Sequence, residues 1–364
     1  MVIVPDHGPV DGYPFPVKSI VFSNGKNRTP ELNFNFPCFT THPQSTTTFY
    51  ELTDGQLEDY INAWRCAMNS AVSSFNPDII HVQHVWLTAF VAREIGIPFI
   101  ASCHGTDLMG FNHGPRYRDK TLIGARAAHG IIAISHQVMA DAINTYGIDE
   151  SKVSLIWNGF DAECFHVIHD ATKEAVLGEF NLGSADKPLV SFVGKFAQFK
   201  GIDVLLRAAS IYEKQLPGVQ TLLVGHGELF NEMRALCESL ALCGVRFLGH
   251  QPQSVVAKIY NAADVSVVPS RVEPFGLVAV EALACATPVV ATNAGGLPDF
   301  ITGEVGALVP CDDPESLAEA IVNELTSTNR IEKGAFASKY AFDGFTWRRQ
   351  VEKMTRLYDS ALAD

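Results

Sequence analysis

The sequence predicts an α/β protein of two lobes, each built on a parallel sheet, and three observations carry that prediction. From Asn76 onward short β-rich runs alternate with helical patterns; each run ends at a turn or a polar tip; and the alternation breaks near residues 165 to 187 and then restarts. At 364 residues with 47 % apolar positions, the chain is long enough for two domains with a core each. The expected division is 1–167 and 168–344, with the C-terminal helix 345–364 completing the first lobe.

The first fifty residues are irregular. "MVIV" is followed by Pro, Gly and polar residues, where a doubly wound lobe normally opens with strand, tight loop and helix. Leu57, Ile61, Trp64, Met68, Val72 and Phe75 then recur at spacings of four and three, so a helix leads into the strand "DIIHVQH". "PFIASCHG", "GIIAIS" and "KVSLIWNG" follow as strands. Their C-terminal ends carry His81, His84, His104, Ser135 and Asn158, on the edge where open α/β sheets bind ligands. The second series has the strands "PLVSFVGKF", "VQTLLVGHG", "VRFLGH", "ADVSVVPS", "TPVVAT" and "GALVP", and "TWRRQVEKMTRLYDSALAD" reads as a terminal helix. Two such series imply two Rossmann-like lobes with the ligand expected in the cleft between them.

Composition narrows the function. A formal net charge of −13 argues against nonspecific binding to nucleic acid or to an anionic membrane. The basic cluster Arg116, Arg118, Lys120 and Arg126 is a local exception, read either as a solvated face or as an acceptor-phosphate site. The 8 cysteines are scattered without a C-x-x-C pair, which fits free thiols in a reducing cytoplasm and no structural metal. No apolar run has the length of a membrane span, and Met1 to Val4 is too short for a signal-peptide core before Pro5.

The stretch "EPFGLVAVE" carries the sharpest chemistry. Pro274-Phe275-Gly276 joins a strand to a helix, Gly276 permits close backbone approach, and the amides of Gly276, Leu277 and Val278 lie at the positive end of the helix, an anion site suited to phosphate. Glu281, four residues after Leu277, is expected on the same face, and Glu273 reaches over the turn. Carboxylates beside a phosphate repel it unless they hold something else, and vicinal hydroxyls are the natural partner. The pair therefore suggests a diphosphate with hydroxylated rings at both ends, a nucleotide sugar; the bland alternative is two capping or surface glutamates. In "FVGKFAQFKGIDVLL", Lys195 and Lys200 flank a short loop after Gly194, where two cations can neutralise a leaving diphosphate or simply be solvated. "TNAGGLPDF" offers Gly295-Gly296 for close backbone approach. His104, at a strand end beside Gly105, is a candidate for a sugar hydroxyl or phosphate, whereas His81 and His84 are read as structural or supporting. "VGHGEL" lacks the third glycine of a dinucleotide fingerprint, and no D-x-D pair occurs to hold a metal on a diphosphate.

With these motifs in order, the chain from about Pro77 to Ala363 resembles family 4 of the retaining glycosyltransferases. The resemblance rests on "SHQVMADAINTYGIDESKVSLIWNGFDAECF", "FVGKFAQFKGIDVLLRA", "GVRFLGH", "YNAADVSVVPSRVEPFGLVAVEALACATPVVATNAGGLPDFI" and "GALVPCDDPESLAEAI". It implies a GT-B fold, a UDP-sugar donor, no metal or other cofactor, and transfer of a hexose to an acceptor hydroxyl with retained anomeric configuration. It further implies that Glu273 touches the hexose hydroxyls, Glu281 the ribose, the Gly276 to Val278 turn with Phe275 the diphosphate, Lys195 and Lys200 phosphate oxygens, His104 the sugar and its phosphate side, and Leu248 the base. Two other classes stand beside it: a nucleotide-sugar-binding subunit with lost catalysis, and another GT-B activity such as an epimerase or a phosphorylase.

Several departures follow. Lys195 stands where the family commonly has Arg, Ala286 where it often has Gly, and Asp299 where it often has Glu. "MVIVPDHGP" resembles the family's second strand, not its opening strand, glycine-rich loop and helix. Either Met1 to Val4 takes the central place with Pro5 to Tyr13 as a substitute loop, or structure outside this chain, such as a dimer partner, completes the lobe. The acceptor, a small molecule or a glycan, is expected to be soluble.

Overall fold

The computed structural model describes residues 1–27, 29–40, 42, 44–180 and 182–363, which form two compact units: Met1–Ile156 with Met354–Asp364, and Trp157–Lys353. The chain enters the second unit earlier than residue 167, because the connecting segment packs there. Trp157 stacks on Phe345 at 4.8 Å, Phe160 bridges to Thr346, and Phe165 is 1 % exposed against Tyr260.

The first unit opens with β1 (Val2–Asp6) and β2 (Val17–Val21), which pair in parallel as a sheet of their own, followed by the short parallel pair β3 (Pro37–Cys38) and β4 (Thr47–Thr48). Helix α1 (Asp54–Phe75) starts at a capping box in which Thr53 and Gln56 exchange hydrogen bonds, and it ends at left-handed Asn76. Then β5 (Ile80–Gln83), α2 (Leu87–Ile95), β6 (Phe99–Cys103), α3 (Thr106–His113), α4 (Arg118–Ala127), β7 (Gly130–Ala133), α5 (His136–Tyr146) and β8 (Val153–Leu155) build a parallel sheet in the order β5-β6-β7-β8. Buried on both faces, β6 and β7 read as apolar runs broken only by Ser102.

The expectation that Met1 to Val4 takes a central place in this sheet is corrected: β1 pairs with β2 and has no ladder with β5. Its composition explains why. Val2 is 41 % exposed and Pro5 has no N–H to donate, whereas a central strand is covered on both faces and bonded along both edges.

The second unit contains α6 (Lys173–Glu179), β9 (Leu189–Val193), α7 (Ile202–Gln215), β10 (Gln220–Val224), α8 (Phe230–Ser239), β11 (Val245–Gly249), α9 (Gln253–Ala262), β12 (Val265–Val268), α10 (Leu277–Ala284), β13 (Val289–Thr292), β14 (Gly306–Val309), α11 (Pro314–Thr326) and α12 (Arg330–Gly344). Its six strands are all parallel in the order β11-β10-β9-β12-β13-β14. The chain winds outward from β9 in one direction and from β12 in the other, so the topological switch point lies between them. Val190, Phe192, Leu205, Tyr212, Leu223, Val265, Val290, Leu317 and Ile321 belong to one buried core.

The last helix, α13 (Trp347–Ala363), gives its first turns to the second unit and the rest to the first. There Met354, Leu357, Tyr358 and Ala361 cover Ile100, Ile132 and Ile156. His81 joins this helix to the sheet, with Nδ1 2.6 Å from the Tyr358 hydroxyl and Nε2 2.8 Å from Ser102 Oγ. His81 is thus spent on structure. All 8 cysteines are free thiols.

Candidate functional site

In the second unit the predicted residues gather at the C-terminal ends of β9 and β12, on either side of the switch point. Glycine is what lets the loops meet. Gly201, at φ +63°, lies where a Cβ would stand 1.9 Å from the Pro269 carbonyl oxygen, so only a residue without one lets the start of α7 close on the end of β12. Gly295, at φ +56°, sits similarly against the Glu273 carbonyl at 2.0 Å, and Gly296 N–H donates to that oxygen at 2.9 Å. The predicted close approach of "AGG" is therefore made to the Glu273 backbone.

Glu273, 7 % exposed, accepts from Lys200 Nζ at 2.6 Å and from Ser270 Oγ at 3.0 Å. Neither partner was read from the sequence as a Glu273 contact. Lys200 and Glu273 come from loops 73 positions apart, and only the β9/β12 adjacency brings them together. The pair is well enclosed, so deleting either member leaves a costly unpaired charge. Arg271 is consumed elsewhere: it forms a two-point contact with Asp203 at 2.9 and 2.7 Å and a third with Asp312 at 2.6 Å. Lys195 lies 3.5 Å from Glu228, an exposed pair of small energetic weight.

Gly276 caps α10 at φ +100°, and the amides of Gly276, Leu277 and Val278 belong to the first turn, which has no intrahelical acceptors for them. The ring of Phe275 is 2 % exposed and packs on Phe300 at 5.3 Å and Phe345 at 6.3 Å, so it anchors the turn and leaves only its backbone for a ligand. Leu277 is 37 % exposed, but Glu281, one turn on, is 8 % exposed. Burial first, and then the Asp161 carboxylate, push Glu281 from its ordinary 4.5 up to about 8. The buried hydroxyl of Tyr260 and the thiol of Cys285 share this environment. At the end of β11 the Leu248 carbonyl accepts from Gln251 Nε2 at 2.7 Å, and Phe247 packs against Phe196 and Phe230.

In the first unit His104 follows β6. Asp107, fully buried, accepts from His104 N–H at 3.1 Å and from Val85 N–H at 2.9 Å, tying the loops after β6 and β5 together. His104 Nε2 lies 2.7 Å from Gln83 Oε1, and its ring meets that of His84 at 5.0 Å. Burial is the main cause that brings both His104 and His84 down to about 4, so both are neutral imidazoles at neutral pH. The basic cluster is largely engaged. Arg116 binds the Leu52 carbonyl and, at 2.7 Å, Asp54, while Arg118 donates to the Phe111 carbonyl at 3.2 Å. Among the described residues no group of three His, Cys, Asp or Glu is placed to hold a metal ion, and no helix is long and apolar enough to cross a membrane.

Two parallel α/β units, one with the Gly276-capped first turn of α10 beside its switch point, define a two-domain protein of the GT-B class. Comparison with known proteins agrees. Residues 20–163 match the model of Glycosyltransferase Family 4, and residues 179–340 match that of Glycosyl transferases group 1. A D-inositol 3-phosphate glycosyltransferase from Mycobacteroides abscessus is 32 % identical over 317 residues, 79 % of this chain and 67 % of that protein. Sucrose-phosphate synthase from Thermosynechococcus elongatus superposes with a TM-score of 0.71 at 28 % identity, over 89 % of this chain and 82 % of the other. Anabaena HepE, solved in complex with UDP-glucose, superposes with a TM-score of 0.72 at 20 % identity, over 99 % of this chain and 100 % of the other. The chain belongs to the family 4 glycosyltransferases and is a hexosyltransferase of GT-B fold.

Proposed function

We propose that the protein moves a hexose from a UDP-sugar to an acceptor hydroxyl, without a metal and with retention at the anomeric carbon. The observation that carries this reading is the Lys200–Glu273 pair beside the open first turn of α10, at the switch point of the second unit. The first-turn amides, Lys195 and Lys200 hold the diphosphate, and Glu273 accepts hydrogen bonds from hexose hydroxyls. Glu281 holds the ribose hydroxyls, and the uracil lies by Leu248. His104, in the first unit, offers a neutral imidazole to a sugar hydroxyl. The resemblance to the family and the complex of Anabaena HepE with UDP-glucose support UDP as the donor nucleotide in this reading.

In the proposed reaction the bond from the anomeric carbon to the β-phosphate oxygen breaks. The acceptor oxygen bonds to the same face of that carbon, and its proton passes to the departing phosphate oxygen. The protein positions the reactants and stabilises charge on the leaving group. Glu273 is a positioning contact to the sugar and forms no covalent bond to it. Calorimetric titration with UDP, GDP and ADP in the presence of a chelator tests the donor half. UDP binding tightest supports the reading, and binding of none of the three contradicts it.

A further inference from the structure

The loop after β6 sets His104 in place through groups that the proposed chemistry has not used. Asp107 fixes the backbone by holding the His104 N–H, but it does not decide which ring nitrogen carries the proton. The contact that does is on the ring itself: Gln83, at the C-terminal end of β5, places Oε1 2.7 Å from His104 Nε2. With the carboxamide turned this way its oxygen can only accept, so in this arrangement Nε2 carries the hydrogen. A neutral imidazole then has its lone pair on Nδ1.

We infer that Gln83 is a positioning residue that holds His104 as the Nε2–H tautomer, so that Nδ1 is a hydrogen-bond acceptor. For the proposed transferase, on which the functional half of the inference rests, this decides between the two partners open to His104. An Nδ1 lone pair receives the proton of a sugar hydroxyl and repels a phosphate oxygen. His104 is therefore a reader of the sugar and no part of the diphosphate clamp. Its other surroundings fit. His84, from the loop after β5, faces the ring at 5.0 Å; His81 on β5 and Asp107 on α3 are the further titratable groups that act on it. The backbone of His84 is held at φ +67°, a conformation unfavourable for a residue with a side chain, which is consistent with a loop shaped for a site.

The test uses the full chain labelled with 15N-histidine, with His104 assigned by difference from His104→Gln. The parent is expected to show the Nε2–H signature at His104 across neutral pH. Gln83→Leu, at an exposed strand end, should lose that fixed tautomer, lower kcat for UDP-hexose turnover tenfold or more, and leave UDP affinity within twofold. Gln83→Glu should keep the tautomer, because a carboxylate also accepts from Nε2–H, and move the His104 titration upward. An Nδ1–H signature in the parent, or an unchanged tautomer in Gln83→Leu, overturns the inference whether or not the protein turns over a donor. A tautomer that changes in Gln83→Leu with kcat unaffected upholds Gln83 as the positioning group and removes His104 from the proposed transfer.

Discussion

Replacing Glu281 by Gln should stabilise the protein at alkaline pH, by an amount that grows with pH. Glu281 is 8 % exposed, and burial together with Asp161 raises it from 4.5 to about 8. Between those values the folded state binds the proton more tightly than the unfolded state does, so stability falls as pH rises through the window and the full penalty is present above pH 8. At 1.36 kcal/mol for each pH unit, a raise from 4.5 to about 8 corresponds to about 5 kcal/mol at its upper limit. Gln has nearly the same shape and cannot ionise. Parent and Glu281→Gln should melt together near pH 4.5 and diverge toward pH 9. At roughly 2–4 °C per kcal/mol for a domain of this size, the separation there should be on the order of 10 °C in the second unit's transition. Differential scanning calorimetry from pH 4.5 to 9 reads this directly. Parallel melting curves at every pH would refute the buried, charge-crowded placement of Glu281. If the ionised form holds the ribose, UDP affinity of the parent should also rise as pH increases through 8, while that of Glu281→Gln stays flat.

Other expectations are as specific. Glu273→Ala should abolish turnover and cost about 3–5 kcal/mol by leaving Lys200 buried without its partner, whereas the Glu273→Ala, Lys200→Met double variant should recover much of that stability in denaturant unfolding and none of the turnover. Gly295→Ala should displace Glu273 through the 2.0 Å encounter with its carbonyl, losing turnover with UDP-hexoses and lowering the melting temperature. Ala286, held at φ +61°, should be improved by Ala286→Gly by about 1 kcal/mol in urea unfolding. His81, His84 and His104 are all brought down to about 4, so the unfolded chain takes up protons below pH 6.5 that the folded one refuses; the first unit should lose stability steeply as pH falls from 6.5 to 4, seen as an acid shift of its melting transition.

The second unit was legible in the sequence because its signals are local. Apolar strands ending in glycine or small polar residues gave the strand series, and "EPFG" announced a strand-to-helix turn. Glu273 and Glu281 stand out in the sequence as carboxyl groups inside an apolar stretch, and both are buried. What the sequence could not show was pairing across distance. Lys200 binding Glu273, Arg271 locked by Asp203 and Asp312, and Gln83 on the His104 ring all depend on which strands are neighbours, and spacing along the chain carries no record of that. "VGHGEL" was weighed only as a nucleotide fingerprint. Its glycines answer to packing, since a Cβ on Gly225 would meet the Gly194 carbonyl at 1.8 Å and one on Gly227 the Phe196 carbonyl at 2.5 Å. Ala286 departs from the glycine frequent in the family, and its backbone at φ +61° shows why glycine suits the position. The opening fifty residues lack either period, so Met1 to Val4 could be placed only by resemblance, and their separate two-stranded sheet follows from tertiary pairing alone.

If the Glu273 site handles a UDP-sugar as proposed, its hexose is transferred with retention. The most direct measurement follows UDP-hexoses with the parent and Glu273→Gln under a chelator, reading UDP release and the anomeric proton of the product by NMR. Release of UDP should be insensitive to the chelator and an α-linked donor should give an α-linked product, with turnover reduced at least a hundredfold in Glu273→Gln. An inverted product, or a Glu273→Gln variant as active as the parent, would contradict it.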